Sequence, residues 1–287
     1  MSLSSLNEPD ANRRSPLRRF AGRLRLAAII LALFTTTALL IVPQLFAMRF
    51  GWKLANVLPM VWQRVARRII GLRVFVAGAP ARERPLLLVS NHVSWADITV
   101  LGSVLPLSFI AKSEVKSWPV FGWLAILQRT VFVERKARGE TRRQADEIAA
   151  RLSAGDVMVL FAEGTTSDGN EVRAFKTALF GAAQSSLRLS EAETVLVQPV
   201  AIAYTHSNGF PLGRSGRPLA AWPGDVELAP HLARFLIEGR VDVTVAFGEP
   251  VRFDARSDRK TVAKLCEQEA RRLLADALCG KLEIARS

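Results

Sequence analysis

The chain has 287 residues, 49% of them hydrophobic, and a formal net charge of +13, a size that suits one sizeable domain plus an appendage rather than two full domains. So basic a chain points to nucleic acid or to an anionic membrane. With one Tyr, no zinc-finger spacing and arginines crowded beside apolar stretches, lipid headgroups fit and nucleic acid is set aside as a partner.

Residues 1–25 are polar and basic, with Arg13, Arg14, Arg18, Arg19, Arg23 and Arg25, and read as disordered or lying on lipid. Leu26 to Met48 is then free of charge for 23 residues, long enough to cross a hydrocarbon core of about 30 Å and longer than a signal peptide's apolar segment, with no small-residue cleavage site after it. Arg49, Lys53, Arg64, Arg67 and Arg68 put almost as much charge beyond the run as lies before it, so charge leaves the orientation ambiguous. Phe50 to Leu72 reads as an amphipathic interfacial helix. Two helices entering and leaving one leaflet are therefore favoured over a single crossing. This makes residues 1–72 a membrane-anchoring helical hairpin and residues 73–287 the catalytic domain.

Beyond Gly71 the period changes. Arg73–Val76 predicts an edge strand and Leu86–Val89 a central, buried one. The polar island Ser90-Asn91-His92-Val93-Ser94-Trp95-Ala96-Asp97 follows. His92 and Asp97, five positions apart, cannot share one helix face. With His92 in a loop, Ser94 capping a helix and Asp97 in its first turn, the carboxylate can turn back to one ring nitrogen and leave the other as a base. A capping box in which Asp97 only serves the helix terminus is the structural alternative. Ile98–Leu105 is that helix, Ser108–Ala111 a strand, and Trp118–Leu127 a very apolar helix, either ordinary core or a lipid-facing wall beside the site. Thr130–Val133 predicts a strand, Gly139–Leu152 a helix and Val157–Phe161 a second fully apolar strand, which ends in Ala162-Glu163-Gly164-Thr165-Thr166-Ser167-Asp168-Gly169-Asn170. That composition suits a tight turn with amides facing a ligand, or plain punctuation between elements. A helix opens near Phe175-Lys176, strands follow at Thr194–Tyr204 and Val241–Phe247, and a helix over Thr261–Leu278 closes the chain. Alternation of this kind predicts an α/β fold, a largely parallel central sheet with helices on both faces.

Three strands thus end in His92 and Asp97, in Arg135, and in Glu163-Gly164-Thr165, with Lys176 near in sequence. A base backed by a carboxylate, with cations and turn amides beside it, suits attack of a hydroxyl on an acyl carbonyl. No Gly-x-Ser-x-Gly, nucleotide fingerprint or metal-ligand spacing is present, and the two cysteines, Cys266 and Cys279, make no disulfide framework.

These residues resemble the glycerolipid acyltransferases typified by 1-acyl-sn-glycerol-3-phosphate acyltransferase, over roughly residues 73–250. Asn91 to Asp97 matches the Asn-His-x4-Asp block, Arg129 to Arg135 the second, Phe161-Ala162-Glu163-Gly164-Thr165 the third and Val197-Gln198-Pro199-Val200 the fourth. The resemblance implies catalytic His92 and Asp97, and acceptor-binding Arg135, Glu163, Gly164, Thr165 and Lys176. It also implies no cofactor beyond acyl carrier protein or coenzyme A as the thioester co-substrate, and work on membrane lipids at the cytoplasmic face of the inner membrane. Ala162 and Thr166 stand where the family usually has proline and arginine. Losing that planar, permanently charged fork weakens the case for a phosphomonoester acceptor. Lysophosphatidate is the acceptor expected first, a lyso-ornithine lipid the alternative, and a non-catalytic lipid-binding scaffold the reading from another class.

Overall fold

The computed structural model describes residues 16–133, 138–187, 194–224, 226–254 and 256–286. Helix α1 (Pro16–Arg49) takes in the arginines ahead of the uncharged run, so the basic stretch is helical from Pro16 onward. Three consecutive threonines would be costly in so apolar a helix. Thr35, Thr36 and Thr37 each donate to the carbonyl four residues back at 2.8–2.9 Å, which satisfies the hydroxyls without water. Helix α2 (Leu54–Ile70) returns antiparallel: Gln44 Nε2 donates to Ala55 O at 3.1 Å and Trp62 Nε1 to Thr37 Oγ1 at 2.9 Å. Gly71, with a φ of 83°, closes α2 in the left-handed conformation that glycine adopts at no steric cost.

The chain continues through β1 (Leu72–Ala77), β2 (Leu86–Ser90), α3 (Asp97–Val104), β3 (Ser108–Lys112), a 3-10 turn at Ser113–Ser117, α4 (Phe121–Leu127), β4 (Val131–Val133), α5 (Arg138–Ser153) and β5 (Val157–Phe161). After these come α6 (Thr177–Leu187), β6 (Thr194–Ser207), β7 (Phe210–Pro211), α7 (Gly213–Gly216), α8 (Leu228–Glu238), β8 (Val241–Phe247), β9 (Val251–Asp254), α9 (Arg259–Leu278) and β10 (Ala285–Arg286).

One sheet runs β10-β1-β8-β6-β2-β5-β3-β4, with β7 and β9 also paired to β6. The five strands from β6 to β4 are parallel; β8 is antiparallel to β6 and parallel to β1. Strand β1, expected at the edge, has β10 on its outer side. Period-two alternation divides the core. Leu87 and Val89 of β2 face Ile148, Phe180 and Cys266 from α5, α6 and α9. Leu86 and Leu88 join Leu101, Phe235 and Ile29 from α3, α8 and α1 on the other side. Helices therefore cover both faces of a largely parallel sheet, as expected.

Proline has no N–H for a ladder, yet Pro199 sits inside β6. It falls between residues 194–197, paired with β9, and residues 200–207, paired with β8. Its carbonyl still accepts the Gly248 N–H at 2.9 Å.

Helix α1 touches the domain along its length. Gly22 lies so close to Ile237 of α8 that an added Cβ would meet its side chain at 3.2 Å, Ile29 is buried in the core, and Gln44 Nε2 also donates to Leu127 O at 2.7 Å. Its other face exposes Ile30, Leu31, Phe34, Leu39 and Phe46. α1 is long and apolar enough to cross a membrane, with a mean hydropathy of 2.4 over its most apolar window. Asp156 links the hairpin to the domain: Oδ1 accepts from Asn56 Nδ2 at 2.8 Å, while Oδ2 meets Arg151 Nε at 2.7 Å and Arg129 Nη2 at 3.3 Å.

Candidate active site

Strand β2 delivers the chain to Asn91, whose buried amide exchanges two bonds with the neighbouring β6: Nδ2 donates to Ile202 O at 3.1 Å and Oδ1 accepts from Ile202 N at 2.8 Å. The start of the loop is therefore fixed to the sheet, and His92 stands just past the carboxyl end of β2. Asp97 is the first residue of α3. His92 Nδ1 and Asp97 Oδ2 are 2.8 Å apart, so Nδ1 carries the proton it donates and Nε2 is left unprotonated.

No side chain caps α3, which corrects the expectation for Ser94. Asp97 serves the loop instead: Oδ2 accepts the N–H groups of Val93 at 2.7 Å and Ser94 at 2.9 Å. Its other oxygen accepts Tyr204 Oη–H at 2.8 Å. Four donors thus surround a side chain with no solvent exposure, the condition under which a buried carboxylate is tolerable. Burial, then the charge of Asp97 and their hydrogen bond, push the Tyr204 phenol well above its ordinary range, so it remains a neutral donor. The His92 ring stacks on Phe161 with centroids 4.0 Å apart, and Phe109 stacks behind Phe161 at 5.9 Å. The imidazole, 20% exposed, is the part of the pair that opens to solvent.

The loop after β5 locks onto the one after β2. Ala162 N donates to Ser90 O at 3.1 Å; Ser167 gives His92 O two bonds, N at 2.8 Å and Oγ at 3.1 Å. Glycine is required at position 169, where φ is 74° and a Cβ would approach Val93 Cγ1 to 2.8 Å. Arg217 Nη1 holds Asn170 Oδ1, and Trp222 N donates to Val93 O at 2.8 Å, so the segment after α7 clamps both loops.

Glu163 is sealed beneath this arrangement. Both carboxyl oxygens are buried without a hydrogen-bond partner among the described residues. Burial pushes the carboxyl up to about 8. The His92 and Arg173 amides face it and oppose that shift without reaching hydrogen-bond geometry, the Asp97 charge adds to it, and the Arg173 charge opposes it. Gly164, at a φ of 69°, makes the turn with its N–H to Phe161 O at 3.1 Å. Thr165 is half-buried with Oγ1 beside Gly224, and Thr166 is buried. Lys176 donates its N–H to Ala162 O at 2.8 Å and is itself exposed. Arg135 lies outside the described residues. The structure therefore joins His92 to Asp97 directly, places Glu163 and Gly164 against them through backbone, and leaves Lys176 at the surface. Tyr204, Phe161 and Ser167 were not singled out in the sequence as site residues. Phe161 was visible as the last residue of an apolar strand, whereas no local spacing marks Tyr204.

Residues 73–203 match the family model described as Acyltransferase. A protein of Brucella abortus (strain 2308) named lyso-ornithine lipid O-acyltransferase is 53% identical over 262 residues, 91% of this chain and 97% of its own length. One of the same name from Rhizobium meliloti (strain 1021) is 48% identical over 258 residues, 90% of this chain and 88% of its own. The crystal structure of the 1-acyl-sn-glycerophosphate acyltransferase PlsC from Thermotoga maritima matches with a TM-score of 0.64 at 21% identity, covering 91% of this chain and 97% of that one, a likeness of fold. Agreement across nine-tenths of the length, beyond the matched segment itself, makes this chain a member of the acyltransferase family.

Proposed function

We propose that the protein moves a fatty acyl group from an acyl thioester, borne by acyl carrier protein or coenzyme A, to the free hydroxyl of a lyso-ornithine lipid. His92 Nε2 takes the hydroxyl proton as the oxygen attacks the thioester carbonyl. Asp97, fixed by Tyr204 and the Val93 and Ser94 amides, holds the ring tautomer and stabilises the imidazolium. The tetrahedral intermediate then expels the thiolate, which recovers the proton from His92, so no acyl-enzyme is needed. Glu163, with both oxygens shut off from solvent, acts here by holding the loop and not by touching the acceptor.

The acceptor differs from the one the motifs put first. What supports the change is that relatives identical at 53% and 48% over nine-tenths of the chain bear the lyso-ornithine name. Thr166 agrees: buried and uncharged, it offers no fork for a phosphomonoester at a position where the resemblance leads one to expect arginine. The apolar, outward face of α1 supports membrane association, and the cytosolic thioester places the site on the cytoplasmic face.

The test compares kcat/KM for lyso-ornithine lipid and lysophosphatidate with one donor. The expected preference for the former is at least about tenfold, worth about 1.4 kcal/mol; a reversed preference sinks the acceptor assignment. His92→Ala is expected to lower turnover on the order of 10² to 10⁴, and near wild-type transfer by that variant would remove the base.

A further inference from the structure

The 3-10 turn before α4 and the first turn of α4 form a bare apolar lip. Trp123 is 70% exposed, Val120 66% and Trp118 37%. The lip is held in shape by its backbone. Val120, a β-branched residue, sits at a φ of +63°, a conformation that costs on the order of 1–3 kcal/mol and persists where the surroundings enforce it. Gly122 is buried so tightly that a Cβ would lie 2.2 Å from Lys116 O. A rigid turn that holds two large apolar side chains in water is hard to explain by core packing.

We infer that this lip, Trp118 to Trp123, inserts into the bilayer beside the α1–α2 hairpin and forms the lipid-side threshold over which the acceptor reaches His92. Three observations select lipid as the occupant. The lip continues the outward apolar face of α1, since α4 is tied to α1 through Gln44 and Leu127 O. Exposed Lys112 and Lys116 flank it, each cation near an anionic surface strengthening binding about fivefold. Trp118 packs edge-on against Trp222 at 6.1 Å, and Trp222 N is bonded to Val93 O in the catalytic loop. A membrane-dipping lip thus adjoins the catalytic loop, where a tail still in the bilayer and a headgroup at the surface meet. Tryptophan suits that depth, with an apolar body and an N–H for the interface.

The inference adds to the reading of α1–α2 as a lipid-facing hairpin, and one experiment separates the two. Full-length protein is titrated with phosphatidylglycerol vesicles containing lipids brominated near the headgroup, and tryptophan quenching and vesicle binding are recorded for wild type and Trp123→Phe. The expected result is that wild type binds and that the variant loses a distinct share of the quenchable emission. Trp123→Ser and Val120→Gly, both at exposed positions, are expected to lower kcat/KM on vesicle-borne acceptor about tenfold and to leave turnover of a soluble short-chain acceptor unchanged. Quenching identical in wild type and Trp123→Phe, with binding intact, overturns the lip and spares the hairpin. Absence of wild-type binding overturns both. A rise confined to the KM of acyl carrier protein thioester would make the lip a protein-docking surface and overturn the lipid assignment.

Discussion

Asp97 has two oxygens with separate duties, Oδ2 toward His92 and the loop amides and Oδ1 toward Tyr204, and the division can be tested at the far oxygen. Tyr204→Phe removes one donor to a buried carboxylate, a loss of about 1.5–3 kcal/mol for a bond to a charged group. It is expected to lower melting temperature and to reduce kcat roughly tenfold with KM little changed; an unaltered kcat would mean the remaining donors position His92 unaided. Glu163 gives a prediction in pH. Its folded-state value, about 8, lies above the ordinary 4.5, so the folded protein keeps a proton that the unfolded chain releases. Its contribution to stability is therefore present in full below about 4.5 and lost as pH rises toward about 8. Glu163→Gln mimics the neutral acid, and urea unfolding across that window should show the variant gaining on wild type by at most on the order of 4 kcal/mol. Parallel stability curves would mean that Glu163 is ionised in the fold. His92, Asp97 and the Glu163 turn were legible in sequence because polar groups interrupt apolar strands there. Tyr204 was not, since it meets Asp97 across 107 residues and only the strand order brings them together.

At the scale of elements, the strands that read most plainly, Leu86–Val89 and Val157–Phe161, are the two that carry the catalytic loops and lie side by side in the sheet. Fully apolar runs of that length need cover on both faces, and the sheet supplies it. The pieces that escaped reading lack such a period: β7 and β10 have two residues each, and α8 places Pro230 in its first turn, where a sequence reader sees a break. The partition at residue 72 was legible as a change of period, but α2 does not stand apart from the domain: Ala66 and Ile70 are buried, and Gln63 Nε2 donates to Gln128 Oε1 at 3.0 Å. Asp156 is the strongest polar tie between the two parts. Asp156→Ala would leave Arg151, Arg129 and Asn56 without their shared acceptor, and breaking such a mostly buried pair costs about 3 kcal/mol. A chemical denaturation midpoint within error of wild type would show that water replaces the carboxylate at no cost.

For the whole molecule, the packing of α1 decides how the protein meets the membrane. Its contact with α8 at Gly22 and its bond to Leu127 O from Gln44 are separated by about 33 Å of helix at 1.5 Å per residue, which exceeds the hydrocarbon thickness of about 30 Å. A crossing by α1 would therefore drag the domain bound at both points into the hydrocarbon, where its irregular backbone could not be satisfied. A helix lying in the interface keeps both contacts, buries Ile30, Phe34 and Phe46 in lipid and leaves the arginines of either flank at the headgroups. The amino terminus and the catalytic domain are thus predicted on one side. Cys279 is exposed and Cys266 buried, which makes Cys279 a native reporter for the domain; Leu17→Cys, at an exposed position near the start of α1, reports for the other end. In sealed inverted inner-membrane vesicles, a membrane-impermeant maleimide is expected to label both sites before detergent is added. Labelling of Cys279 alone, with the cysteine at position 17 reached only after solubilisation, would establish a crossing and refute the same-leaflet hairpin.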